Sequence, residues 1–105
     1  MIMRKKNRYI LIRSTVPMDM NDKNVQHEFS DAILKIMGIH DYSAANPRIM
    51  KSLVGNMFIV RVSRSMERKY ILASAFAKKI GTQNIGFQTI KISGSISTLI
   101  NYKIS

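Results

Sequence analysis

The chain has 105 residues, enough for one domain near the lower limit of a self-sufficient core. An apolar share of 46% excludes disorder throughout, and the absence of cysteine excludes disulfides and thiolate metal sites; no apolar run approaches the roughly 18 to 20 residues that span a bilayer. Seventeen Lys and Arg against six Asp and Glu give a net charge of +11, a self-repelling balance that points to a polyanionic partner rather than a neutral one.

The charge is unevenly spread. Residues 1–18 carry Arg4, Lys5, Lys6, Arg8 and Arg13 with no acid, whereas residues 19–41 hold five of the six acids and sum to −3. Residues 42–105 carry ten cations against Glu67 alone. Arg8 and Arg13 interrupt the stretch after the charged start, so the first residues do not read as a signal peptide. Residues 1–7 read instead as a basic arm or a merely disordered basic end.

The first strong element is the strand Arg8-Tyr-Ile-Leu-Ile-Arg-Ser-Thr15, β-branched and apolar, ended by Pro17. Asp22 or Asn21 then caps a helix to about Met37, with Val25, Phe29, Ala32, Ile33 and Ile36 on one face and Gly38 at the C′ position. A loop over residues 39–46 leads to an edge strand over residues 47–53, a location that tolerates Pro47. Val54-Gly55-Asn56 is a turn signal, and Met57–Ser63 completes an antiparallel hairpin. A second helix runs from Ser65 or Met66 to about Ile80, with Met66, Tyr70, Ala73, Phe76, Ala77 and Ile80 on its apolar face. Gly81 stops it, and Arg68, Lys78 and Lys79 lie opposite. A last strand covers residues 86–93, and residues 95–105 form a short tail of one or two helical turns.

The order β-α-β-β-α-β predicts an α+β, ferredoxin-like (RRM-like) sandwich in one domain: a four-stranded antiparallel sheet with two helices on one face. Alternation sends Ile10, Ile12, Phe58, Val60 and Val62 toward the helices. Tyr9, Leu11 and Arg13, with Ile59, Arg61 and Ser63, then face away. RNA-recognition motifs stack bases on such an open face, but the aromatic supply is thin, with Tyr9 and Phe87 alone. The other reading makes Tyr9, Leu11 and Ile59 a patch covered by a protein partner.

Arg61-Val-Ser-Arg64-Ser65 ends a strand and opens a helix. Free N–H groups beside Arg64 and Arg68 make a phosphate site there, unless Ser65 is simply an N-cap between two solvated arginines. No catalytic set appears. His27 sits off the apolar face of an acidic helix, and His40 beside Asp41 in a loop is no acid–base geometry. Asp19 and Asp22 read as capping residues rather than metal ligands.

Four blocks over residues 8–99 resemble the ribonuclease P protein component 2 family, also called the Pop-five family. Arg8-Tyr9-Ile-Leu is similar to the family's opening strand, and Gly38 with Ala44-Ala45-Asn46 to its entry into the second strand. Gly55 through Arg61-Val-Ser-Arg64 resembles its hairpin glycine and Arg-Cys-x-Arg segment, and Ile92-Ser93-Gly94-Ser95-Ile96 its Ser-Gly-Thr-Ile. The departures are Val62 for cysteine, Ser95 for threonine and Ser97 where a basic residue usually follows the isoleucine.

The resemblance implies a βαββαβ-type sandwich and a ribonucleoprotein role. Members pair with ribonuclease P protein component 3, and two such pairs assemble into a heterotetramer through component 2. The complex activates a catalytic ribonuclease P RNA that removes the 5′ leader of precursor tRNA with Mg²⁺. On this implication the chain supplies no catalytic residue and binds no cofactor or metal itself. Arg8, Arg61, Arg64, Arg68, Lys78 and Lys79 would meet RNA, with Arg4, Lys5 and Lys6 as an arm. Protein would be met by the sheet patch Tyr9, Leu11 and Ile59 or by the less cationic first helix. The absence of an acidic tail favours an archaeal type and the cytoplasm, with the nucleolus the eukaryotic equivalent. The rivals are a ribosomal-type RNA-binding protein of the same fold, a structural assembly subunit with incidental charge, and an acylphosphatase-like enzyme. The enzyme would need a glycine-containing phosphate loop where Ser14-Thr-Val-Pro17-Met stands.

Overall fold

The computed structural model describes residues 6–102. Its elements follow as β1 (Asn7–Ser14), α1 (Lys23–Met37), α2 (Ile39–Ala45), β2 (Arg48–Leu53), β3 (Met57–Ser63), a 3₁₀ turn (Arg64–Met66), α3 (Glu67–Phe76), β4 (Lys79–Ile80), β5 (Gln83–Asn84), β6 (Phe87–Ser93) and α4 (Ile96–Ile100). The main sheet has the order β2-β3-β1-β6, all antiparallel, which makes the fold α+β. The expected adjacency of the first and third strands at its centre is present, and β2 with its preceding Pro47 lies at an edge.

Local chemistry explains the first helix. The Asp22 carboxylate accepts from the Asn24 N–H at 2.9 Å and satisfies one of the donors a helix start leaves open. Gly38, at φ 84°, ends the helix and donates its N–H to Leu34 O at 2.8 Å. One turn of chain later the sequence reading needs correction: residues 39–46 are not a loop, because Ile39–Ala45 form α2 and bury Ala45. Asn46, in the left-handed region at φ 45°, closes it.

The second helix is also shorter than its apolar spacing predicts. It stops at Phe76, and Ala77 is already extended. Lys79–Ile80 pair with Gln83–Asn84 in a small hairpin whose two-residue loop starts at Gly81, φ 60°. The extended path lets Ala77, Ile80 and Ile85 all reach the core, and it ties Ile85 N–H to Lys78 O at 3.0 Å. That burial outweighs the high helix propensity of Ala-Lys-Lys. Phe76, expected on the buried face, is 62% exposed as a result.

Between the sheet and α1 and α3 lies the larger core, with Ile10, Ile12, Phe58, Val60 and Val62 against Phe29, Ile33, Tyr70 and Ala73. Phe29, Phe58 and Phe87 pack edge to face with centroids 5.0 to 6.2 Å apart, joining α1, β3 and β6. Phe87 therefore belongs to this core and not to the opposite face, where the sequence reading placed it.

That opposite face is not open. Leu11 and Ile59 are both 0% exposed because Leu99 of α4 lies on them, with Tyr9, Leu53, Met57, Ile90, Ile96 and Tyr102 around the contact. The expected sheet patch for a protein partner is thus consumed within the chain, and only Tyr9 of the three is half-exposed. A five-residue helix has no stability of its own, so the burial of Leu99 holds α4 in place. Leu99→Ala should cost about 2 to 4 kcal/mol, whereas Ile100→Ala, at the rim, should stay within about 0.5 kcal/mol. Urea denaturation checks this pair; equal effects would mean that α4 does not pack on the sheet.

Candidate functional site

Cations collect where β1 begins and β3 ends. The Arg64 N–H donates to Lys6 O at 2.9 Å, which brings the arm's last lysine against the turn after β3. Lys6, Ser63, Arg64 and Ser65, with Ala44 of α2, line an open groove of about 510 Å³. No side chain caps the 3₁₀ turn or the start of α3, so Ser65 is not the N-cap that the bland reading made it. Arg68 follows one helical turn after Arg64 and is exposed.

Arg61 belongs to the same end but to the other face of the sheet. Register pairing sets Arg48, Arg61, Tyr9 and Ser93 in one row across β2, β3, β1 and β6. Arg8, between Ile10 and the arm, points to the helix side by alternation and is half-buried. Its Nε is buried without a hydrogen-bond partner, and its Nη1 would lie 3.2 Å from any Cβ at position 94. Gly94 is therefore the space that the Arg8 guanidinium fills, a physical link between two blocks of the sequence 86 residues apart.

The structure divides the predicted set. Lys6 and Arg64 share the groove, Arg68 follows on α3, and Arg8 and Arg61 lie near the same end on opposite faces of the sheet. Lys78 and Lys79 lie elsewhere, in and before β4 rather than on a helix, beside Glu28 and Asp31 around a second groove. Arg4 and Lys5 fall outside the described residues. Of the cations within the described residues, only Lys35 and Lys69 pair with a carboxylate there, Lys35 with Asp31 at 3.0 Å and Lys69 with Asp41 at 3.6 Å. The arginines near this end are thus left available to an external anion.

The sequence reading did not single out Arg48, Lys51 and Lys91, further cations on the outer face of the sheet. Arg48 was readable from strand alternation opposite Arg61. Lys51 and Lys91 were not, because a register shift in each edge strand turns them to the outer face. The shift falls between Ile49 and Lys51 in β2, and against Leu11/Ile12 in β6, so that Lys51 pairs with Ile59 and Lys91 with Leu11. His27 and His40 are exposed on α1 and α2, and Asp41 is engaged by Lys69 rather than by its neighbour. Tyr70 is buried in the core, where desolvation, with Tyr42 nearby, drives its phenol far above the ordinary range and keeps it neutral.

The chain matches the Rpp14/Pop5 family over residues 8–104. It is 26% identical over 97 residues to ribonuclease P protein component 2 of Methanocorpusculum labreanum, a stretch that covers 92% of this chain and 65% of that protein. It therefore spans just under two thirds of that relative's length. Its fold is similar to a chain in the cryo-EM structure of yeast ribonuclease MRP, with a TM-score of 0.65 at 9% identity, covering 91% of this chain and 79% of the other. At that identity the likeness speaks for the fold alone, but the family match extends over nearly every residue, from the Arg8 strand through α4: the chain belongs to the Rpp14/Pop5 family.

Proposed function

We propose that this chain is a non-catalytic protein subunit of ribonuclease P that binds the catalytic RNA and activates it for 5′-leader removal from precursor tRNA. The observation that carries the reading is the clustering of Lys6, Arg8, Arg61, Arg64 and Arg68, without carboxylate partners among the described residues, around one end of a four-stranded antiparallel sheet, with Arg61 on the face opposite the Arg64 groove. Arginine forks set on a rigid sheet end suit bidentate phosphate contacts. By neutralising crowded phosphates they lower the divalent-ion concentration the RNA needs to hold its active shape. The Mg²⁺ used in cleavage is the RNA's, and this chain binds no cofactor of its own. The arm residues Arg4 and Lys5 extend the RNA contact outward, whereas Lys78 and Lys79, beside Glu28 and Asp31, lie apart from it.

The protein-facing surface is assigned to the helix layer, since the sheet patch is closed. Ile36 of α1 with Leu72 and Phe76 of α3 line an exposed apolar groove rimmed by Asp41 and Lys69. This layer holds the chain's acids, so it is the side least attracted to RNA. Ribonuclease P protein component 3 is its proposed partner, with self-association into a heterotetramer, and the cytoplasm its proposed location.

Reconstitution tests the reading. Precursor-tRNA cleavage by the cognate RNA at limiting Mg²⁺, with component 3, should rise only when this chain is added. Arg64→Glu should weaken RNA binding about tenfold or more and abolish the stimulation, in line with losing a charge-assisted contact and adding a repulsion. Unchanged activation by that variant would sink the RNA-facing assignment, and tight binding to ribosomal RNA in its place would favour a ribosomal-type role.

The double substitution L72D/F76D addresses the helix layer. Both side chains are more than half exposed, so the fold should hold to within about 0.5 kcal/mol. Co-purification with component 3 should be lost while RNA affinity stays within about twofold. Retained pairing would place the protein interface elsewhere.

A further inference from the structure

The outer face of the sheet carries a second set of cations, distinct from the Arg64 groove. Rows set by the strand register put Lys51, Ile59, Leu11 and Lys91 side by side, next to the row Arg48, Arg61, Tyr9 and Ser93. Leu99 covers Leu11 and Ile59, so α4 stands as a ridge with Lys51 on one flank and Lys91 on the other. The two lysines are three strand spacings apart, roughly 14 Å. Both face outward only because each edge strand shifts register beside them, a device that re-aims side chains at functional edges. Lys91 is further fixed with its Nζ 5.1 Å from the centroid of the Tyr102 ring.

The ridge itself is uncharged and polar. Ser97, Thr98 and Asn101 are exposed on it, with Ser95 at its start and the rim residue Ile100. None of the six acids lies in β1, β2, β3, β6 or α4. The result is a strip of neutral hydrogen-bonding groups between two positive flanks. That is the complement of a shallow groove with hydroxyls along its floor and phosphates along its rims, as the minor groove of A-form RNA presents. The minor groove of B-DNA is only about 6 Å wide, too narrow for a helix about 10 Å across.

We infer that α4, flanked by Lys51 and Lys91, is a docking ridge for the minor groove of double-helical RNA, with Ser97, Thr98 and Asn101 addressing 2′-hydroxyls and the lysines the bordering phosphates. The inference rests on the RNA-binding reading above and adds a separate surface with its own ligand form. It gives α4 a purpose beyond covering the sheet: shape recognition of a duplex, independent of base sequence.

Binding of the full chain to a 20-base-pair RNA duplex, a DNA duplex of the same sequence and a 20-nucleotide oligouridine strand, followed by anisotropy across a salt series, tests it. The RNA duplex should bind at least about fivefold more tightly than the DNA duplex at equal salt, the worth of about one net hydrogen bond. S97A/T98A/N101A should bring that preference to within about twofold while leaving the circular-dichroism melt and the salt slope as they are. K51Q/K91Q should weaken both duplexes and reduce the slope of log affinity against log salt by about 2, one per phosphate contact removed. Equal affinity for RNA and DNA duplexes, a preference that survives the triple substitution, or tighter binding of the single strand would overturn the inference while leaving the chain an RNA binder. No salt-sensitive binding to any of the three, with no binding to ribonuclease P RNA, would instead bring down the proposed function itself.

Discussion

Burial of β1 on both faces is the constraint from which the rest of the arrangement follows. Ile10, Leu11 and Ile12 are consecutive and all 0% exposed, and consecutive residues of a strand point to opposite sides. Each side of the sheet centre therefore has to be covered. The helices α1 and α3 cover one side through a core that includes three edge-to-face phenylalanines. The other is left to a five-residue helix held chiefly by Leu99. With both faces taken, charge is confined to the ends, the edges and the exposed backs of helices.

That confinement sorts the charges by sign. The acids lie on α1, α2, the start of α3 and the loop before α1, where two of them pair with lysines and one caps a helix. The cations at the sheet end have no such relief. Arg48 and Arg61 are directly opposite each other in the ladder, an arrangement that costs roughly 0.2 to 1 kcal/mol against a neutral pair. Arg8 keeps a buried Nε without a partner, which costs more. Local rules are broken at this end and obeyed through the core, a contrast expected where a chain is shaped for a ligand and the ground on which the sheet end is proposed as the site.

The sequence made the strands, the first helix and the parity of the central faces legible, because those features follow from period and capping. Asp22, Gly38 and the alternation of Ile10 and Ile12 with Phe58 and Val60 each carry a local signal. Three things had no such signal. The α2 turn from Ile39 to Ala45 lacks a capping side chain and an apolar repeat, so it reads as loop. Ala77 to Ile80 fits a helix by spacing and becomes a hairpin because Ile80 and Ile85 are buried better that way. The outer-face lysines depend on register shifts, which move Lys51 and Lys91 across the sheet without any mark in composition. The placement of the cations was legible to the same degree: Arg61, Arg64 and Arg68 near one sheet end follow from charge and position, but their neighbours on the outer face do not. The assignment of Leu11 and Ile59 to an interface failed because alternation gives the direction of a side chain and not what lies over it.

In a small basic chain with this distribution, stability would be coupled to any polyanion that binds it. The repulsion of the unpaired arginines acts against the compact state, and an anion bound across them removes that repulsion as well as adding contacts. Any ligand that binds the folded form alone stabilises it in proportion to the logarithm of its concentration over its dissociation constant. On the proposed reading, an anion bound at the sheet end would tighten β1, β3 and the 3₁₀ turn together, because Arg61 lies in β3 and the Arg64 N–H, in the turn, donates to the O of Lys6 just before β1. The same side chains that would give a bound chain its affinity act against the compact state of the free one. If that end binds RNA as proposed, the influence is mutual: the arginine-rich end that would hold an RNA in shape would itself be held in shape by it.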